Sequence, residues 1–486
     1  MGIEIEDKFD VPTDYAVPDL TKLGDVSGPK SHRLVALYYD TPDLRLAARG
    51  VTLRRRRGGA DAGWHLKLPK AKGVRQEITH PLTRSTKIVP EELEELVRAY
   101  TRGAALQAVA ELDTRRSVTV VSGKVGDLVE IADDHVKGTV FGTEPKVERW
   151  REVEAELLEA GDEAVLAKVG KRLRKAGATP SPSASKLARL LDQPPRPGPP
   201  TQEGTAGHVV MAYLAGQVAA LLSQDPRVRR AEDDAVHQMR VAARRMRSAF
   251  KAFKTIVTGT QAVQEELRWL GNVLGEVRDL EVIRARFAGH LRGLPSELVT
   301  GPIRTRLDDD LLAREQEAYG HIREALSGER YYALLNTLDD LLVRPELTKK
   351  AGRTEGPTLA GVAAANWHRV TASYDAAQAI EDEERREIAM HDVRKAAKRA
   401  RYTAEALGMK PLAKHAENVQ EVLGLYQDGV VAQETLAEEA ESARQAGEDT
   451  FTYGVLVGIE RAHAEQAHAD FPKVWERTLR AVHELL

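Results

Sequence analysis

The chain opens on Ile3-Glu4-Ile5-Glu6-Asp7-Lys8-Phe9. In a β-strand alternate side chains share a face, which puts Glu4, Glu6 and Lys8 on one side and Ile3, Ile5 and Phe9 on the other. Later segments repeat the pattern. "VTLRRRR" sets Arg54 beside Arg56, and "WHLKLP" sets His65 beside Lys67, backed by Trp64, Leu66 and Leu68. "GVRQEI" adds Arg75 with Glu77, "LVEIADD" pairs Glu130 with Asp134, and "REVEAEL" aligns Glu152, Glu154 and Glu156. An antiparallel sheet with one wet face explains any single strand of this kind. Several of them, with acids predominating on some strands and bases on others, ask for a guest. Carboxylates repel unless a cation sits among them, and hard oxygen donors suit Mg2+ or Mn2+. Facing arginines and lysines accept phosphates. Metal plus basic clamp is the minimal equipment for phosphoryl chemistry: the metal activates water and the bases hold non-bridging oxygens.

A second pattern lies in "VHQMRVAARRMRSAF" (236–250) and "MHDVRKAAKRARYTAE" (390–405). At about 100° per residue, Arg240, Arg244, Arg247 and Lys251 fall within roughly 80° of His237 on a helical wheel. Met239, Ala242, Met246, Ala249, Phe250 and Phe253 cluster on the opposite edge. The later copy keeps the phase, with His391, Arg394, Lys398 and Arg401 on one edge and Val393, Ala396, Ala400 and Leu407 on the other. A solvated face interleaves acids and bases at i,i+4, because such pairs stabilise a helix and like charges destabilise it. Here arginine stacks on arginine, twice, and no acid answers within the first stretch. A polyanion relieves that repulsion: guanidinium groups grip phosphate in a fork, and histidine donates to its oxygens. The stripes lack the aromatic platforms of nucleic-acid readers, Tyr402 being the only ring on the basic side, so inorganic phosphate polymers are favoured over DNA or RNA.

These residues need two kinds of scaffold. Before "DQPPRPGPPTQEGTAG" (192–207), short alternating segments broken by Gly, Pro and Asp predict antiparallel strands, with helices near 90–100 and 162–177. That proline-rich stretch reads as an exposed linker. After it, apolar residues at helical spacing run almost to Leu486, interrupted near 295–302, 344–357 and 408–411. The helical part is duplicated: each basic stripe is followed by a related segment, "LGEVRD" (274–279) and "LGLYQD" (423–428), expected as a turn. A chain of 486 residues suits two or three domains. With no cysteine, disulfides, thiolate metal sites and cysteine nucleophiles are excluded, and a reducing compartment fits. No signal peptide and no membrane-spanning apolar run is expected, so a soluble, cytoplasmic protein that avoids membranes is the reading. The remaining histidines, including His290, His321 and His368, are scattered and read as structural or exposed.

The opening Glu4-x-Glu6-x-Lys8, followed in order by "YYDTPDLRL", "LRRR", "HLKLP", "VRQE", "EIADD", "WREVEAEL" and "SKLARLL", resembles the CYTH superfamily, the triphosphate tunnel metalloenzymes, over residues 1–191. The resemblance implies an eight-stranded antiparallel barrel with charged inner walls, an α+β domain. It implies Mg2+ or Mn2+ held by Glu4 and Glu6 with Glu130, Asp134, Glu152, Glu154 and Glu156. Triphosphate would be gripped by Lys8, Arg54, Arg56, Lys67 and Arg75, with Lys186 of "SKLARLL" added to the clamp; Glu4, Glu6, Lys8 and Lys67 are the catalytic candidates. The segment "LDTRRSV" departs from the family's pattern, with Asp113 where another base is expected, and Arg116 is carried over from it. The two copies of H-x2-R-x3-[RK]-x2-R, each followed by LGxxxD, resemble a CHAD domain over 208–486. That family implies an all-α domain of two pseudo-symmetric bundles binding inorganic polyphosphate along a basic surface made here by His237, Arg240, Arg244, Arg247, Lys251, His391, Arg394, Lys398 and Arg401. One departure is Gln427, which stands where the first copy has Arg278. Together these imply a hydrolase of tripolyphosphate or a related triphosphate that captures longer chains. The alternatives are a polyphosphate binder without turnover, and a thiamine triphosphatase or class IV adenylyl cyclase.

Overall fold

The computed structural model describes residues 2–59, 61–71, 74–142, 145–183, 185–191 and 201–485. Contacts divide the chain into two compact units, Met1–Arg196 and Pro197–Leu486. Most of the expected linker, 192–200, lies outside the described residues.

The first unit runs β1 (Gly2–Asp10), β2 (Asp25–Val26), β3 (Lys30–Asp40), α1 (Arg45–Ala48), β4 (Thr52–Arg57), β5 (Gly63–Ala71), β6 (Val74–His80), α2 (Glu91–Thr101), β7 (Gln107–Gly123), β8 (Gly126–Val140), β9 (Lys146–Leu157), α3 (Glu163–Lys175), β10 (Thr179–Pro180) and α4 (Lys186–Leu190). Every pairing is antiparallel. The strand order β1-β6-β5-β4-β3-β7-β8-β9 closes on itself, because β1 pairs β6 through its first half and β9 through its second. The result is an eight-stranded barrel, with β2 and β10 as short additions. Closure leaves none of those eight strands with an open edge. Period-2 alternation then sorts the side chains. Phe9, Val121, Val129, Ile131 and Val153 turn outward and pack beneath Leu166, Val169 and Leu173 of α3. That helix is capped by the Asp162 carboxylate, which accepts from Val165 N–H at 2.7 Å. Helix α4 closes on interior-facing residues: Leu187 and Leu190 pack with Tyr38, Leu112, Val136 and Trp150. Ser185 caps its start, so Lys186 is fixed at its first turn.

The second unit is all helical: α5 (Ala206–Arg229), α6 (Ala235–Ala252), α7 (Gln261–Gly293), α8 (Ile303–Ser327), α9 (Glu329–Val343), α10 (Glu355–Gln378), α11 (Glu383–Ala406), α12 (Lys410–Gln445) and α13 (Phe451–Leu485). Consecutive helices pack in α5–α8 and again in α10–α13, while α6 meets α11 and α5 meets α10. These are the two halves of the duplication. The apolar edge expected on α6 is buried throughout, and Val393, Ala396 and Ala400 of α11 join one core with Trp367, Phe471 and Trp475.

Three expectations are corrected. Helix α5 begins at Ala206, inside the stretch taken as linker. It is also long and apolar enough, by length and composition alone, to cross a membrane, against the expectation of no such run; its Met211, Leu214, Val218, Leu221 and Leu222 are buried in the unit. Finally, "LGEVRD" and "LGLYQD" are not turns. Both lie inside long helices, α7 and α12.

Candidate functional sites: a charged barrel interior and a basic helix pair

Pairing brings the charged strand faces into one interior cavity of 250 Å³, lined by Glu4, Glu6, Lys8, Arg54, Arg56, Lys67, Arg75, Glu77, Arg116, Glu130, Glu154, Glu156 and Lys186. Register sets who meets whom. Glu6 stands opposite Glu156, which stands opposite Glu130, so three glutamates are abreast on β1, β9 and β8. Diametrically across the ring, β4 carries Arg54 and Arg56. Asp113 turns outward, where Arg33 binds it through Nε and Nη2 at 3.0 and 2.7 Å. Arg116, three residues on, turns inward.

Part of this charge is neutralised internally. Lys8 Nζ donates to Glu6 at 3.0 Å and to Glu154 at 2.5 Å, and Lys67 Nζ donates to Glu4 at 2.6 Å. Arg116 forks onto Asp134 at 2.8 and 2.7 Å and also reaches Glu154 at 2.6 Å. Asp134, Glu152 and Glu154 could by their spacing hold a metal ion. The Lys186 ammonium stands among them instead, 3.0, 2.7 and 2.7 Å from the three carboxylates. Burial opposes its charge, but those acids raise its pKa, and Lys186 with Lys8 and Arg116 holds Glu154 well below the usual carboxylate range. Asp134 and Glu152 are buried and are not among the cavity-lining residues; a lysine already serves them as the cation.

The rest is left in excess. Glu130 and Glu156 have no ion-pair partner among the described residues, and burial together with Glu4, Glu6 and Glu154 pushes Glu156 up to about 7. Glu4 is raised too, mainly by burial, and Glu77 beside it is lowered by His65, Lys67 and Arg54. On the basic wall, burial with Arg54 and Arg116 alongside pushes Arg56 down to about 9. Asp61, more than half exposed, reaches Arg56 from the rim. Among the described residues, the Arg54 guanidinium hydrogen-bonds only to the Tyr38 hydroxyl, at 3.5 Å, and the Nε atoms of Arg54 and Arg56 are buried without a hydrogen-bond partner. Buried donors of this kind normally find one. Glu4, Glu6, Glu130 and Glu156 supply oxygen donors of the kind a divalent ion takes, and the repulsion that raises Glu156 is one such an ion would relieve. Sequence reasoning did not single out Tyr38, and it placed His65 and Glu77 on charged faces without a role; their contact with each other, at 2.8 Å, depends on pairing across strands.

In the helical unit the two basic stripes meet. Arg244 of α6 donates to the Tyr402 hydroxyl of α11 at 2.9 Å, and Arg244, Arg245 and Arg401 surround that ring. Arg240 binds Asp279 at 2.8 Å, and its counterpart Arg394 lies 3.8 Å from Asp428. Each arginine reaches its aspartate across a glycine: a Cβ on Gly275 or Gly424 would meet the guanidinium at 3.3 Å. That close approach, not a turn, is the use of the glycine in LGxxxD. Arg401 is drawn away to Glu405 at 2.8 Å and Glu417 at 2.9 Å. The remaining cations crowd. Burial with Arg394, Arg244 and Arg240 nearby pushes Lys398 down to about 8; burial with Arg268 and Arg244 lowers Arg247, and burial with Arg247, Arg399 and Arg268 lowers Lys251. His237 and His391 are lowered by burial and neighbouring cations. Arg268 and Arg399 join this surface from positions outside the stripe motif.

Comparison with known proteins gives the same division. A CYTH domain model matches residues 2–190 and a CHAD domain model matches 212–437. The Mycobacterium tuberculosis (strain CDC 1551 / Oshkosh) protein MT2285 is 37% identical over 508 residues, covering 99% of this chain and 97% of its own. Among solved structures, PptA from Streptomyces chartreusis is 22% identical with a TM-score of 0.47, over 56% of this chain and 99% of PptA. The CHAD domain from the plant Ricinus communis is 22% identical with a TM-score of 0.46, over 59% and 97%. The chain belongs to the family in which a CYTH domain is followed by a CHAD domain.

Proposed function

We propose that the protein binds inorganic polyphosphate on the α6–α11 surface and hydrolyses tripolyphosphate, or a related triphosphate, inside the barrel. The observation that carries this is the charge left in excess on opposite sides of the cavity, Glu130 and Glu156 on one and Arg54 and Arg56 on the other, at an energetic loss. Arg54 and Arg56 offer forked donors to non-bridging oxygens, Arg75 adds another from β6, where it stands opposite Glu4, and Lys8 and Lys67 neutralise charge nearer the acids. Glu4, Glu6, Glu130 and Glu156 would hold Mg2+ or Mn2+, which when bound lowers the pKa of a water and offsets phosphate charge. The chain's own residues bind the triphosphate, orient it along the cavity and exclude bulk water. In the helical unit, Arg244, Arg247, Lys251 and Lys398, with His237, Arg240, His391 and Arg394, supply cations whose repulsion a polyanion relieves. Arg401 contributes less than the stripe pattern implies, because Glu405 and Glu417 already hold it.

The test is phosphate release from tripolyphosphate with Mg2+ or Mn2+. Turnover is expected in the wild type and a loss on the order of a hundredfold or more in Glu4→Ala and Glu6→Ala. A second reading, a tunnel that holds triphosphate without turning it over, is favoured by the internal ion pairs Lys8–Glu6 and Lys67–Glu4. Tight binding with no release under either metal would select it, whereas cyclic AMP formed from ATP would revive the cyclase alternative.

A further inference from the structure

We propose that His290, Glu460 and His463 form a second metal site, in the helical unit, suited to a borderline transition ion such as Zn2+. His290 lies on α7, and Glu460 and His463 lie on α13. Three residues apart, the latter two share one helix face. His290 Nε2 lies 2.9 Å from Glu460 Oε1, and the two imidazole rings are 5.5 Å apart at 38°. One donor atom from each residue lies within 4.8 Å of the other two. Two imidazole nitrogens and one carboxylate oxygen are a donor set that Zn2+ and its neighbours in the transition series accept, whereas Mg2+ favours oxygen alone.

The surroundings fit a held ligand set. Glu460 is fully buried, and Arg286 fixes its carboxylate, with Nε donating to Oε1 at 2.5 Å and Nη2 to Oε2. Partners of this kind orient a metal-binding group. A buried ion pair between α7 and α13 accounts for Arg286, Glu460 and His290. It leaves the place of His463 unexplained: that side chain is exposed, makes no hydrogen bond to any described residue, and still converges on the buried carboxylate. On binding, the ion replaces the proton shared by His290 Nε2 and Glu460 Oε1, and that proton leaves to solvent. Because His463 is at the surface, a coordination position stays open to water. Helices α7 and α13 belong to different halves of the duplication, so the ion clips the halves beside the core of Phe287, Leu291, Tyr453 and Leu456.

The test is equilibrium dialysis of the full chain against Zn2+ near neutral pH, with millimolar Mg2+ present to occupy the barrel carboxylates. One tightly held Zn2+ is expected, together with a higher unfolding temperature in zinc. His463→Ala, a surface change that leaves the core intact, and His290→Ala should each weaken retention about tenfold or more and remove the thermal gain. No retained zinc at micromolar concentration, or retention unchanged in either variant, overturns the site.

Discussion

At the scale of single residues, the interior cations divide into those with partners and those in excess. Lys186 is the clearest of the first kind, an ammonium serving three buried acids. Lys186→Ala leaves buried Glu152 without its cation and takes one cation from Asp134 and Glu154, which keep Arg116 and, for Glu154, Lys8; unfolding by denaturant should show a loss of about 3 kcal/mol. Lys398 is of the second kind. Its folded pKa of about 8 lies below the ordinary 10.5, so between these values the unfolded chain binds more protons and stability rises with pH. Below about pH 8 its buried charge is a liability. Lys398→Met should therefore be more stable than wild type at pH 7, by up to about 3 kcal/mol, with the gap closing toward pH 10.5. Its polyphosphate affinity should fall. A stripe that is merely solvated would show neither effect in stability melts and binding titrations.

At the scale of elements, the faces of strands and helices were legible because their periods are fixed at 2 and 3.6 residues. Glu4, Glu6 and Lys8 do share a face, as do Arg54 and Arg56, and the apolar edge of α6 is the buried one. What touches what was not legible. Lys186 was expected in the clamp and Asp134 and Glu152 among the metal ligands; that α4 sets the lysine among Asp134, Glu152 and Glu154 follows from packing that no local pattern encodes. The segments holding Gly275 and Gly424 were expected as turns; the use of those glycines as passages for Arg240 and Arg394 depends on packing against the preceding helix, which local spacing does not show. Gly275→Leu together with Gly424→Leu should keep helical content by circular dichroism, since leucine is the better helix former. The new side chains displace both guanidiniums, and polyphosphate affinity should drop on the order of tenfold, measured by titration.

At the scale of the whole molecule, two units of unrelated fold carry one physical motif, cations gathered where the protein alone gives them too few partners. Duplication made the helical copy easy to recognise, because phase and spacing recur at His237 and His391. In the barrel the acids and bases were readable strand by strand, but their opposition across the cavity follows from closure, which no local pattern encodes. The most direct test is thermal unfolding of the full chain with and without tripolyphosphate and Mg2+, comparing wild type with Arg54→Met plus Arg56→Met. The wild type should gain several degrees on adding ligand, while the variant should start at an equal or higher unfolding temperature and gain markedly less. A variant that starts lower yet gains as much as the wild type would contradict the assignment of that wall to triphosphate.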